Sequence, residues 1–538
     1  MKKLVAVLLS ATMILSLAGC SKEEETTKKK KTKKTTTEET EDTDDPTEDP
    51  TDDPTDDTTE PVADTSSDTS DTTSGATPKP DGNSVISLHT EIDRDEAGYG
   101  RYNQDDHSIH SVEASIEYPT ITAEGYEDLQ DAIFNYWGEA DTLLADYYTT
   151  TLDQYLNGDL IFSEYAFILT DIFRDDSYIF SAAIQYPNEF PGADRTFEAH
   201  SFWSGTAEEI KLQDVITDTD AVLTALKEYS MEMFSSEDPV TDPDFVASVK
   251  DGTCPFTLTY DGICFFLDYW YIKIPVSAIP DAVDSRYFGS TPDNYFLMLD
   301  AKGEIQWDFD GDGVPEDLSV GNADDSDFLD AIVIHHNGND YTIDTDVWGE
   351  FHWYDDNYVM KTSDGFYMYL LLGVDEGMEY IGFKYSNGEW TGLGRFDEGS
   401  YFFGHQYDPQ NALMSEYIGL TGTHYYQAYF DFDGNDGKPV RKYHIYYDRF
   451  SILETKQDIP CDELDDDLAV VGQTTLPSGS VVNLMYYDPD YEKILLRVCT
   501  TDPSQDTYVS CDVDTHSNPM KIGGIAVDDA LYGIIYGG

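Results

Sequence analysis

Ten consecutive residues in the second half of the chain, Asp308-Phe309-Asp310-Gly311-Asp312-Gly313-Val314-Pro315-Glu316-Asp317, have the composition and spacing of a cation loop. Counted from Asp308, carboxylates stand at the first, third and fifth places, so a loop that curls brings them toward one point. Gly313 at the sixth place permits the sharp turn, and the Val314 carbonyl follows as a seventh-place ligand. Glu316 or Asp317 would close the sphere. Oxygen ligands of this hardness select calcium, so the segment predicts a structural Ca2+ site made by Asp308, Asp310, Asp312, Val314, Glu316 and Asp317. A weaker copy, Asp431-Phe432-Asp433-Gly434-Asn435-Asp436-Gly437-Lys438-Pro439, offers Asp431, Asp433 and Asn435. There Asp436 takes the place of the turn glycine and Lys438 adds positive charge.

An EF-hand needs a bidentate acid at the twelfth place, where Ser319 stands, and Leu318-Ser319-Val320 reads as a strand. The loop resembles instead the calcium loops of FG-GAP-type β-propeller repeats, which implies a propeller-like β domain around it. Other chemistry is harder to find. Neither a His-Glu-x-x-His nor a Gly-x-Ser-x-Gly signature is present. His107 with His110, and His335 with His336, are pairs that surface turns produce more often than metal sites do. Trp348, Phe351, Trp353 and Tyr354 could stack on sugar rings, but alternating β-core packing accounts for them more simply. With 107 acidic residues in the chain, paired carboxylates for glycoside hydrolysis are uninformative by count. The expectation is a protein that is not an enzyme.

Cys20 has a different chemistry. Lys2 and Lys3 precede an apolar run from Leu4 to Leu17, which ends in Leu17-Ala18-Gly19-Cys20. A basic start, a short apolar run and small residues before the cut describe a secretory signal, too short for a spanning helix. The ending resembles the lipobox of bacterial lipoproteins, which implies that Cys20 is acylated and becomes the first residue of an extracytoplasmic, membrane-anchored chain. Residues 21–83 are Thr, Lys, Asp, Glu and Pro with almost no apolar side chain, a composition that cannot offset its ordering entropy. Lys28, Lys29, Lys30, Lys31, Lys33 and Lys34 lie where each would gain about 1 kcal/mol from anionic headgroups. Such a linker, as a relaxed coil of roughly 60 residues, reaches about 45 Å.

A formal charge of −76 excludes nucleic acid as a partner, since phosphate binding needs a basic face. It suits solubility, calcium or a cationic partner. Beyond Cys20 lie Cys254, Cys264, Cys461, Cys499 and Cys511, in a setting that permits disulfides. Cys499 and Cys511 flank Asp502-Pro503-Ser504 in what reads as a hairpin, and Cys254 and Cys264 flank Asp261-Gly262 less symmetrically. These two pairs are the disulfide candidates, and the odd count leaves a thiol free, most simply Cys461.

The elements that must carry these residues fall into two regions. From 84 to 292, strands mix with helices: a strand over Val112–Tyr118, a helix over Glu124–Thr149, paired strands about Arg174-Asp175-Asp176, a second helix from Asp220, and closing strands between Phe256 and Ile274. Irregular mixing of this kind predicts α+β. From 293 to 538 the chain reads as almost entirely β, with short aromatic runs between Gly, Asp and Asn turns.

Tyr118-Pro119 ahead of a helix, Glu209-Ile210-Lys211-Leu212-Gln213-Asp214-Val215-Ile216, Phe256-x-Leu258-x-x-Asp261-Gly262-Ile263-x-Phe265-Phe266 and Ile272-x-Ile274-Pro275-x-Ser277-x-Ile279 recur in that order. The order is similar to the extracytoplasmic module of the lysozyme-sensing anti-sigma factor of Gram-positive bacteria, and to the noncatalytic module of some peptidoglycan deacetylases. It covers roughly Val112 to Ala282. The resemblance implies noncatalytic recognition of a cationic muramidase or of peptidoglycan. A cell-wall glycan hydrolase or esterase, and a structural surface scaffold without a soluble ligand, are the rival functions.

Overall fold

The computed structural model describes residues 84–534, leaving out 161–162, 188–189, 192, 194–195, 234–238, 268–269, 323–330, 345–348, 352–356, 375–376, 396–400, 403, 418–419, 421–424, 443–451, 466–467 and 489–491. The signal segment, Cys20 and the linker therefore lie outside the described residues, as do Trp348, Trp353 and Tyr354.

A long antiparallel hairpin, Glu91–Asn103 with Ser108–Thr120, opens the fold. Its alternation serves two different neighbours. Val112, Ala114 and Ile116 face the helix Glu127–Leu156, whose Leu129, Ile133, Trp137, Ala140, Leu144, Tyr148 and Leu152 recur three or four residues apart and are buried. Glu127 and Asp128 in the first turn suit the positive end of the helix dipole. The opposite face is polar and nonetheless covered. Arg94 Nη2 donates to Glu117 Oε1 at 2.7 Å and to Gln427 Oε1 at 3.0 Å, and Asn483 Nδ2 donates to Glu96 Oε2 at 3.0 Å. This explains why Glu91–Asn103, charged along its length, gave no strand signal.

The helix is a crossover: Ser108–Thr120 runs parallel to Glu164–Asp175. The sheet then continues antiparallel through Ile179–Gln185, Phe197–Trp203 and Glu208–Glu209, six strands in chain order. After a single turn at Leu212–Val215, the next long helix is Thr219–Met233, where Asp218 Oδ1 accepts from Asp220 N and Ala221 N at 3.1 Å each. The helix after it, Pro243–Asp251, has Asp242 as its cap and ends on Gly252 at φ 71°. A three-stranded sheet, Phe256–Leu258, Gly262–Leu267 and Trp270–Pro275, completes the α+β half.

From Tyr295 onward strands dominate, in sheets of six, four, four and nine. The core does not stop at residue 292. Phe173, Ala183, Phe197, Cys264 and Phe266 share one buried cluster with Phe296, Tyr358, Tyr369, Phe402 and Leu484. The described residues accordingly fall within one compact unit. No helix among the described residues is long and apolar enough to cross a membrane.

The cysteines pair otherwise than their spacing suggested. Among the described residues a disulfide joins Cys461 to Cys511, while Cys254, Cys264 and Cys499 are buried outside it. Strand register is the reason. Ile459–Leu464 runs antiparallel to Thr507–Asp514 with Asp462 opposite Ser510, which sets Cys461 against Cys511 at a Cα separation of 4.6 Å. In the hairpin that was expected to be bridged, Cys511 lies opposite Ile494, five residues along the strand from Cys499. At about 3.4 Å per residue that gap is far too wide for a disulfide. Cys264 likewise lies opposite Thr257, not Cys254.

Candidate metal centre

The Asp308 loop closes a hairpin. Glu304–Trp307 and Glu316–Asn322 pair antiparallel, ending with Trp307 opposite Glu316, and residues 308–315 bridge them. One side chain roots the loop in the protein: Phe309 is buried, with its ring 5.0 Å from His336 and 5.1 Å from Phe366. Its neighbours Asp308 and Asp310 are thereby directed outward. Gly311 and Gly313 take φ of 79° and 87°, the left-handed region in which a side chain would strain the turn.

The loop's own N–H groups orient the carboxylates. Asp308 Oδ1 accepts from Gly311 N at 2.7 Å and Asp312 N at 3.1 Å, and its Oδ2 accepts from Gly313 N at 2.9 Å. Asp310 Oδ1 accepts from Asp312 N at 3.0 Å, and Asp312 Oδ1 from Val314 N at 2.8 Å. Glu316 Oε2 accepts from Phe309 N at 2.6 Å. The outcome is a convergent triad, Asp308, Asp310 and Glu316, each with an oxygen within 4.8 Å of the others'. Burial holds the Glu316 carboxyl above its usual proton affinity, and the charges of Asp310, Asp308 and Asp312 add to that rise. Such a group gains from a hard cation, and the donor set fits one.

Not every residue singled out by spacing joins the triad. Asp312 is exposed and spends one oxygen on Val314 N. Asp317 follows Glu316 on a strand, so it faces the other way, and its Oδ1 accepts from Gln306 Nε2 at 2.7 Å. Val314, whose carbonyl is the expected seventh-place ligand, is 63% exposed. The second loop is occupied with structural work. Asp433 accepts from Ser363 N at 2.8 Å and Gln410 Nε2 at 3.1 Å, and Asn435 Nδ2 donates to the carbonyls of Asp431 and Asp433. Asp436, at φ 59°, is paired with Lys384 and donates its N–H to Asp364. These contacts tie the loop to the neighbouring hairpin Tyr358–Thr362 and Gly365–Val374.

The histidine pairs do not converge on a metal. His110 Nε2 contacts Asp106 at 2.6 Å, and His107 contacts Tyr102 Oη at 2.9 Å. His335 is exposed beside Asp340, whereas His336, on the other face of its strand, is buried and accepts from Trp390 Nε1 at 3.3 Å. Sequence reasoning also passed over a cluster where the folded unit begins. His89, at φ 49°, contacts Asp408 Oδ2 through Nδ1 at 2.7 Å, and Ser87 Oγ donates to the same oxygen at 3.1 Å. The bond to Asp408 raises the imidazole's proton affinity. Asp175, buried and pushed up to about 7 by desolvation, accepts from Thr90 N and Oγ1. His89 and Asp408 are 319 residues apart, so no local pattern could have announced them.

No protein-family model and no curated protein matches the chain. Among solved structures it is similar to a DUF3298 family member from Bacteroides fragilis, with 16% identity, over 37% of this chain and 96% of that one, at a TM-score of 0.23. It is also similar to a DUF3298 family protein from Pseudomonas aeruginosa, with 12% identity, over 38% of this chain and 98% of that one, at a TM-score of 0.26.

Proposed function

We propose that this chain is a lipid-anchored, extracytoplasmic, noncatalytic binding protein of the bacterial cell envelope that recognises a cationic muramidase or peptidoglycan. Charge is the observation that supports it: 107 acidic residues stand against 31 basic ones. Such an excess attracts a cationic protein at long range and speeds encounter more than it tightens the final complex. Acylated Cys20 would moor it, and the linker would hold the folded unit off the membrane. The test is retention on immobilised lysozyme and on purified sacculi, at low and high salt. Binding at about 50 mM salt that falls at least tenfold by about 500 mM is expected. Absence of retention on both supports at low salt sinks the proposal.

A structural calcium ion at Asp308, Asp310 and Glu316 belongs to the same reading. Two four-stranded antiparallel sheets, each with an Asp-x-Asp-Gly loop between paired strands, support the propeller-like interpretation of this half. Calcium added a hundredfold above its Kd to EDTA-treated protein is expected to stabilise it by about 2.7 kcal/mol. Glu316→Gln should abolish that response. A melting temperature indifferent to EDTA and calcium in the parent protein counts against the ion.

A further inference from the structure

The nine-stranded sheet ends on one side with Val470–Leu476, whose sequence is Val-Val-Gly-Gln-Thr-Thr-Leu. Strand edges present unpaired N–H and C=O groups, and proteins guard long ones with charge, proline or brevity. Other edges here follow that rule. Glu91–Asn103, Asn339–Asp344 and Glu389–Arg395 each carry at least two charged residues, and Trp270–Pro275 carries a lysine and a proline. The remaining edges among the described residues are four residues long or shorter. Val470–Leu476 has seven residues, no charge and no proline, and its first two valines are 63% and 59% exposed.

Its flanks are not neutral. A carboxylate oxygen of Glu463 lies 3.7 Å from where a Cβ on Gly472 would stand. Asp465 accepts from Ala469 N at one end of the strand, and Asp458 from Ser478 N just past the other. Acids thus line about 20 Å of open strand. A register shift leaves Val471 as an extra residue near one end, with Gly472–Leu476 in regular pairing.

We infer that Val470–Leu476 receives an extended, basic segment of a partner polypeptide as an added strand. Main-chain hydrogen bonds supply a sequence-tolerant affinity, the exposed valines take an apolar side chain, and the flanking carboxylates select cationic residues. A second copy of this chain is disfavoured as occupant because it would bring the same acids to the junction. The inference takes its choice of a cationic partner from the function proposed above and adds a place and a mode to it.

The probe is a fluorescein-labelled octapeptide of alternating Lys and Val, titrated into the full chain by anisotropy, with a Glu-Val peptide as control. Successive N–H groups on an edge strand point alternately to the neighbouring strand and to solvent. Of Gln473→Pro and Thr474→Pro, one should therefore fold normally and weaken Lys-Val binding at least tenfold. Hydrogen exchange of the unmutated protein should slow at alternate residues of 470–476 when the peptide is added, a readout that stands even if both proline variants unfold. Equal binding of the Glu-Val peptide, unchanged exchange along the strand, or a concentration-dependent dimer abolished by the tolerated proline would overturn the inference. Retention of lysozyme without peptide uptake sinks the edge alone. Peptide uptake without retention on lysozyme or sacculi sinks the proposed function and leaves the edge standing.

Discussion

Replacing Arg174 with alanine is expected to lower the unfolding free energy by about 3–5 kcal/mol, the cost of breaking a buried ion pair from one side. Arg174 and Asp176 are both fully buried, with Nε 2.6 Å from Oδ2. The guanidinium also donates to the carbonyl of Tyr287 at 2.6 Å and that of Ser290 at 3.1 Å, and lies over the buried ring of Tyr260. Its loss would strand a carboxylate and two carbonyls in the interior. The carboxylate is itself committed, because Asp176 Oδ1 accepts from Tyr178 N at 2.6 Å and Ile179 N at 2.9 Å, starting the next strand. Arg174→Lys should recover little, since one ammonium cannot reproduce a planar fork aimed at three acceptors. Urea unfolding measures this directly, and a loss below about 1 kcal/mol for the alanine variant would show that the pair is not the tie described here.

Removing the disulfide should cost about 4 kcal/mol. Cys461 and Cys511 close a loop of 50 residues, for which chain-entropy arguments give that size. Cys461→Ala and Cys511→Ala should be similarly destabilised, because each removes the same bond. Cys499→Ala leaves the bond in place and should cost about 1 kcal/mol, from trimming one buried group. The comparison distinguishes the two pairings: if Cys499→Ala were as damaging as Cys511→Ala, the bridge would run within the hairpin after all. Peptide mapping under nonreducing conditions, expected to recover the 461 and 511 peptides joined, checks the same point chemically.

What could be read in advance was local. The Asp308 loop is a run of ten residues, and a curl is enough to bring its first and third places together. Helical periodicity located the helices now seen at Glu127–Leu156 and Thr219–Met233, to within a turn or two. The hairpin around Arg174-Asp175-Asp176 was visible from its apolar flanks. What escaped depended on register or on distant chain. Choosing Glu316 over Asp317 is a matter of strand parity, fixed only when Trp307 pairs with Glu316. The cysteine pairing depended on which strand lies beside Ile459–Leu464. Glu91–Asn103 was hidden because its charges face partners such as Gln427 and Asn483, more than 300 residues away.

The apolar interior that spans residue 292 has an evolutionary corollary. Phe173 stacks 4.3 Å from His405, and the ring of Tyr271 lies 6.5 Å from the same imidazole, so the helical half and the strand-rich half complete each other's packing. A recombination breakpoint between them would hand each descendant a raw hydrophobic wall, which invites aggregation. The halves should therefore travel through genomes together, and relatives are to be sought as whole pairs, not as one half grafted onto unrelated company.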